Sequence, residues 1–302
     1  MPFATRVGVR LLYHGSDHGH LANSACVHES ADAFDILGRR CDDKRHANER
    51  ILHFIKTYKV ECKDLLEQDL AKYPTLNSFF YRRLRPETRP IASPKDPTVI
   101  SSAADCRITV FARVEEAKRL WIKGRHFTLP SLLQDSKLAA ELQGGSVAIF
   151  RLAVEDYHRF HSPIDAVVGE TTEIPGGYFT VNSMIVRDKR FDVFTANKRN
   201  ITTLYAKHPL AQQAVPVAYC QIGALLVASI HQTKPKGQRV ARGDELGYFA
   251  YGGSTIVVVF PKETIEWNQD LLDNSEGRNS EGVQVETLVK VGEEIGRWVA
   301  GR

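Results

Sequence analysis

The stretch Gly243-Asp244-Glu245-Leu246-Gly247-Tyr248-Phe249-Ala250-Tyr251-Gly252-Gly253-Ser254-Thr255-Ile256-Val257-Val258-Val259-Phe260 decides how this chain is read. Its last residues form an unbroken apolar run, the pattern of a strand. Two glycines free the backbone ahead of Ser254 to adopt conformations closed to other residues. A hydroxyl beside so open a peptide can attack the preceding carbonyl. The plainer reading is a tight turn, with Gly-Gly for geometry and Ser-Thr for hydrogen bonds.

Working outward, further short apolar runs fall at 108–111, 147–152 and 224–230, punctuated by Gly144-Gly145, Pro175-Gly176-Gly177, Gly243 and Gly292. Strands at this density, without long helices between them, predict a β-rich sandwich or barrel-like core over residues 99–302. Upstream the period changes. Ile51, Phe54, Ile55 and Tyr58 have the spacing of an amphipathic helix. Leu65, Leu66, Leu70 and Tyr73 predict a second helix ending before Pro74, and Phe79, Phe80 and Leu84 a short third. The expected class is therefore α+β, with a helical region at 46–98 ahead of the β-rich domain.

Arg82, Arg83, Arg85 and Arg89 flank that third helix. Arginines beside aromatics suit an anionic headgroup layer. They equally suit a helical layer packed on the main domain with solvated arginines, because periodicity does not say what an apolar face covers. Residues 1–45 are polar and His-rich, and read as a loosely ordered or targeting segment. His14, His18 and His20 have no convergent acidic or Cys partner at ligand spacing, so a metal site is not expected there. The first residues are basic and poor in acids, as in a transit peptide, but lack the apolar stretch of a secretory signal.

Composition narrows the classes further. With 302 residues, 43% hydrophobic, the chain can bury a full core. A formal net charge of +4 is compatible with an anionic membrane surface and far from a nucleic-acid-binding signature. The five cysteines include no CxxC pair, which argues against a disulfide framework or a zinc site. No run approaches the roughly 20 apolar residues of a membrane span, so any membrane contact is expected to be peripheral.

Two more constellations carry chemistry. Asp156-Tyr157-His158-Arg159-Phe160-His161-Ser162-Pro163 follows an apolar strand and sets two histidines where a strand end meets a loop. Histidine is the natural proton shuttle near neutral pH; a pair of surface histidines is the plain alternative. Ser102-Ala103-Ala104-Asp105-Cys106-Arg107 leads small residues to one acid, suited to orienting a histidine or simply to a turn.

The joint pattern of DYHRFHSPID (156–165), GDELGYFAYGGSTIVVVF (243–260) and SAADCRI (102–108) resembles the phosphatidylserine decarboxylase family, in its eukaryotic-type branch. Supporting matches are NSFFYRRLRPETRPI (77–91), WIKGRHFTLPSLL (121–133), YFTVNS (178–183), FTANKR (194–199) and VKVGEEIGR (289–297). The resemblance implies that Ser254 attacks the Gly253 carbonyl, cuts the chain between 253 and 254, and becomes a covalent pyruvoyl cofactor. It implies that His158 is the activating base and later proton donor, that Asp105 orients His158, and that His161 contacts substrate. The pyruvoyl ketone would form a Schiff base with phosphatidylserine and accept the electrons left by CO2, giving phosphatidylethanolamine.

The resemblance further implies a phospholipid substrate, a peripheral membrane surface, a homodimer, and a place on the cytoplasmic face of an endomembrane or in mitochondria. Nucleic acid and metal are not expected. Val181-Asn182-Ser183 and Ala196-Asn197-Lys198-Arg199 depart from the family's usual residues. Those changes motivate an alternative, pyruvoyl-dependent decarboxylation of a free aromatic amino acid. A second alternative is a non-processing, lipid-binding relative. A serine hydrolase is disfavoured because no GxSxG elbow is present.

Overall fold

The apolar run ahead of Phe260 becomes the strand Gly253–Val259, buried on both faces at the middle of an eight-stranded sheet. The structure is a computed structural model and describes residues 41–120, 127–177, 179, 192–224, 229–250 and 252–300. Expectations for residues 1–40, including the three early histidines, and for Trp121, Ile122, Tyr178, Val181, Asn182 and Ser183, fall outside them. So does the middle of the run expected at 224–230.

Seven helices are described: α1 (Ala47–Tyr58), α2 (Leu76–Phe80), α3 (Val114–Leu120), α4 (Leu129–Leu133), α5 (Ser136–Glu141), α6 (Val193–Ala196) and α7 (Gln269–Glu276). The strands begin with β1 (Val99–Ser101), β2 (Cys106–Phe111), β3 (Val147–Leu152), β4 (Arg159–His161), β5 (Ala166–Ile174), β6 (Arg199–Lys207) and β7 (Ala214–Ala224). They continue with β8 (Ile230–Gln232), β9 (Arg239–Val240), β10 (Glu245–Phe249), β11 (Gly253–Val259), β12 (Ile265–Trp267), β13 (Thr287–Val289) and β14 (Glu294–Trp298).

The large sheet runs β13-β2-β3-β11-β7-β6-β5-β9, each neighbouring pair antiparallel. Two three-stranded sheets, β4-β10-β8 and β1-β14-β12, complete the β structure. Strand parity explains the layering. Ile256 and Val258 share a core with Phe160, Phe249, Ile295 and Trp298, so that face of the large sheet is covered by the small sheets. Val257 and Val259 pack with Leu132, Leu138 and Phe194, so the other face is covered by helices. The result is an α+β sandwich of layers, with no closed barrel among the described residues.

The N-terminal expectation holds for α1, which buries Ile51 and Phe54, and for α2, where Thr75 forms a capping box with Ser78. It does not hold for the second helix. Leu65 instead makes a bridge with Leu84, and only the single turn Leu70–Lys72 is helical there. A cross-chain partner for Leu65 outweighs helical spacing, which is a weak prior over so short a stretch. Ile51, Phe54, Leu65, Phe79 and Phe80 form a third core cluster against which Val154 of the main body packs.

Candidate active site

Ser254 stands at the start of β11, opposite Leu152 of β3 and Gly223 of β7. It is two residues before Ile256 in an unshifted strand, so its side chain lies on the face covered by the β4-β10-β8 sheet. Its Oγ is buried without a hydrogen-bond partner, and so is His158 Nε2. Orphaned buried polar atoms are uncommon and call for an explanation, often a functional one.

The backbone ahead of Ser254 is set by glycine. Gly252 has φ 145°, a region that side chains disfavour. Upstream, a Cβ on Gly247 would stand 2.1 Å from the His231 carbonyl oxygen and 2.5 Å from the Phe160 ring. A glycine there lets β10 press against its neighbours. The Phe249 N–H then donates to the His158 carbonyl at 2.9 Å, tying the segment that leads to Ser254 to the first histidine.

His158 is fully buried, with its ring 3.9 Å from that of Phe80. Its Nδ1 lies 2.9 Å from the Asp156 carbonyl oxygen. A carbonyl only accepts, so Nδ1 carries the proton and Nε2 keeps a lone pair. Burial, reinforced by the nearby Arg82 cation, pushes the pKa of His158 down to about 3. The ring is neutral.

His161 lies on β4 beneath the Ala103–Asp105 segment, its N–H donating to the Ala103 carbonyl at 2.8 Å. Its Nδ1 donates to the Gly243 carbonyl at 2.8 Å, and its Nε2 accepts from the Tyr157 hydroxyl at 3.2 Å. Burial lowers its pKa too, but the Gly243 hydrogen bond and the Glu245 and Asp105 carboxylates pull the other way.

Asp105 departs from the sequence expectation. Its carboxylate accepts from Arg89 Nε at 2.9 and 3.0 Å, from Arg89 Nη2, and from the Val291 N–H at 2.9 Å. It makes no hydrogen bond to His158, whose Nδ1 is already taken by Asp156. Asp105 is among the charges that favour a proton on His161, whereas the charge bearing on His158 is the opposing cation Arg82. The structure thus separates the acid from the histidine it was expected to orient and sets its charge toward the other one.

Sequence reasoning missed the residues that frame this site. Arg89 was expected on a headgroup layer or in solvent, and is instead paired with Asp105 and, at 3.0 Å, Asp64. Arg82 is buried as well. Asn197 clamps Phe179 through its N–H and carbonyl, at 2.9 and 2.7 Å, and donates to the Gly223 carbonyl at 2.8 Å, beside Ser254. Its place in the FTANKR stretch was the available signal.

A family model for phosphatidylserine decarboxylase matches residues 76–297 of this chain. The chain is 40% identical over 299 residues to phosphatidylserine decarboxylase proenzyme 2 of Komagataella phaffii, covering 98% of this chain and 28% of that protein. It is 42% identical over 244 residues to the rice protein of the same name, covering 80% of this chain and 37% of that protein. Against the phosphatidylserine decarboxylase proenzyme of Chlamydia muridarum it is 37% identical over 244 residues, covering 81% and 76% respectively. The chain spans about a quarter to two fifths of the length of the first eukaryotic relatives it matches, from 24% to 37%.

Proposed function

This chain belongs to the phosphatidylserine decarboxylase family, and from that premise we propose that it cuts its own backbone before Ser254 to make a pyruvoyl-dependent decarboxylase of phosphatidylserine. The observation that carries the reading is the buried, unpartnered Ser254 Oγ, placed behind Gly252 and facing the histidine-bearing sheet.

The cut balances with the chain's own atoms and one water. Ser254 Oγ attacks the Gly253 carbonyl carbon as a base takes the hydroxyl proton, and the peptide nitrogen leaves as an amine, giving an ester. Loss of the Ser254 Cα proton expels the Gly253 carboxylate and leaves dehydroalanine. Water then replaces the nitrogen, which departs as ammonia, and a ketone caps the new N-terminus. The pyruvoyl carbonyl supplies the electron sink that takes the pair left on Cα when CO2 departs.

His161 is the base in this proposal. A base that becomes cationic in a buried site needs anionic support, and the Asp105 and Glu245 charges favour a proton on His161. His158, held neutral with Nε2 open, is the ring suited to face substrate and handle its Cα proton. A second reading gives the base role to His158, and it rests on one observation: His158 Nε2 is free, whereas His161 Nε2 is occupied by Tyr157.

Exposed Leu52 and Leu66, with Lys56 and Lys63 nearby in sequence and the Arg83 carbonyl accepting the Leu66 N–H at 2.9 Å, support work at a membrane surface. No helix of the described residues is long and apolar enough to cross one. The division at 98/99, pairing into a homodimer, and an endomembrane or mitochondrial site belong to the same proposal. The test is CO2 release by purified protein from phosphatidylserine vesicles and from free amino acids. Release from the vesicles supports the assignment; release from an aromatic amino acid alone moves it to the soluble substrate.

A further inference from the structure

Arg82 is 5% exposed, yet among the described residues no carboxylate lies within ion-pair distance of its guanidinium. Burying a charge without a counter-ion is costly, and such a residue persists where its donors are needed. All its hydrogen bonds go to main-chain carbonyls. Nη2 donates to Glu155 at 2.9 Å and Asp156 at 3.1 Å, and Nη1 donates to Phe80 at 3.3 Å; Nε is left without a partner.

Two of those carbonyl-bearing residues touch one ring. The Asp156 oxygen accepts from both Arg82 Nη2 and His158 Nδ1, using both its lone pairs. Phe80, whose carbonyl takes Nη1, lays its own ring against His158. One guanidinium therefore joins the two elements between which the imidazole is held. Holding that oxygen in place also disfavours moving the proton to Nε2, because a bare Nδ1 would then set its lone pair against the Asp156 oxygen.

We propose that Arg82 is a positioning residue for His158, clamping the Phe80 and Asp156 carbonyls so that the imidazole stays in its Nδ1–H tautomer with Nε2 open. What Nε2 then does rests on the decarboxylase reading above; the clamp itself is a property of the uncut chain. Lysine keeps the charge but lacks the planar fork that spans two carbonyls at once.

The test is nitrogen NMR of full-length Ser254→Ala protein labelled with 15N-histidine at pH 7, with the His158 signals assigned by their loss in His158→Gln. The expected pattern is one protonated Nδ1 and one bare Nε2, well separated in shift. In Arg82→Gln the two shifts converge as the tautomers mix, and Arg82→Lys falls between. A folded Arg82→Gln protein with unchanged shifts overturns the proposal, as does an Nε2–H tautomer with Arg82 in place. If Arg82→Gln does not fold, Arg82→Lys decides by the same criterion. Failure of the wild-type chain to cut would sink the Ser254 reading and leave the tautomer result standing. Unchanged shifts would sink the clamp and leave the cutting intact.

Discussion

Arg89 and Asp105 form a near-buried ion pair that joins the N-terminal layer to the edge of the histidine sheet, Arg89 Nε reaching the carboxylate at 2.9 and 3.0 Å. The acid is thereby held in place, with the Val291 N–H on the same oxygen. Its charge is left to act through space on His161.

Arg89→Ala should cost about 3 kcal/mol of stability, because it strips the cation from the carboxylate of Asp105, whose side chain is only 13% exposed. Urea unfolding of the uncut Ser254→Ala chain with and without the substitution measures it. A loss under about 0.5 kcal/mol, the scale of an exposed pair, would mean that water replaces the guanidinium freely.

The two histidines should separate by function. His161→Ala is expected to remain one uncut polypeptide. His158→Ala is expected to cut and then turn over about 100-fold or more slowly, the usual scale for losing a proton-transfer group. Intact mass and CO2 release read the two effects. The reverse pattern would return the base role to His158.

Stability should respond to pH through two opposed groups. His158 has its pKa lowered to about 3, so below the unfolded value of 6.5 the unfolded chain binds the extra proton and stability falls as pH falls. Burial raises Asp156 to about 6, so between its ordinary value of 3.8 and 6 the native state holds the extra proton and stability is lost as pH rises. The slopes oppose each other between about pH 4 and 6. Asp156→Asn in the uncut chain should unmask the first, steepening the fall toward pH 4 by up to about 1.4 kcal/mol per pH unit. Parallel curves for the two proteins would show that Asp156 titrates normally.

What could be read from residues alone follows from how local each signal is. The apolar run 256–260 specifies a doubly buried strand, and 147–152 and 108–111 behave likewise. Gly252-Gly253-Ser254 announced its unusual backbone. The sequence did not reveal that Asp105 would answer Arg89 instead of His158, since nothing in their spacing encodes which side chain reaches first across a folded interface. Nor could helical periodicity tell that Arg82 turns inward while Arg83 stays exposed. The second helix failed for the same reason, because Leu65 finds Leu84 only in three dimensions.

The most direct check is the intact mass of freshly purified wild-type protein beside Ser254→Ala. The account predicts two wild-type fragments broken between Gly253 and Ser254, the smaller without a free N-terminal amine, and a single inactive chain for the variant. A wild-type chain that stays whole and still releases CO2 from phosphatidylserine would contradict it.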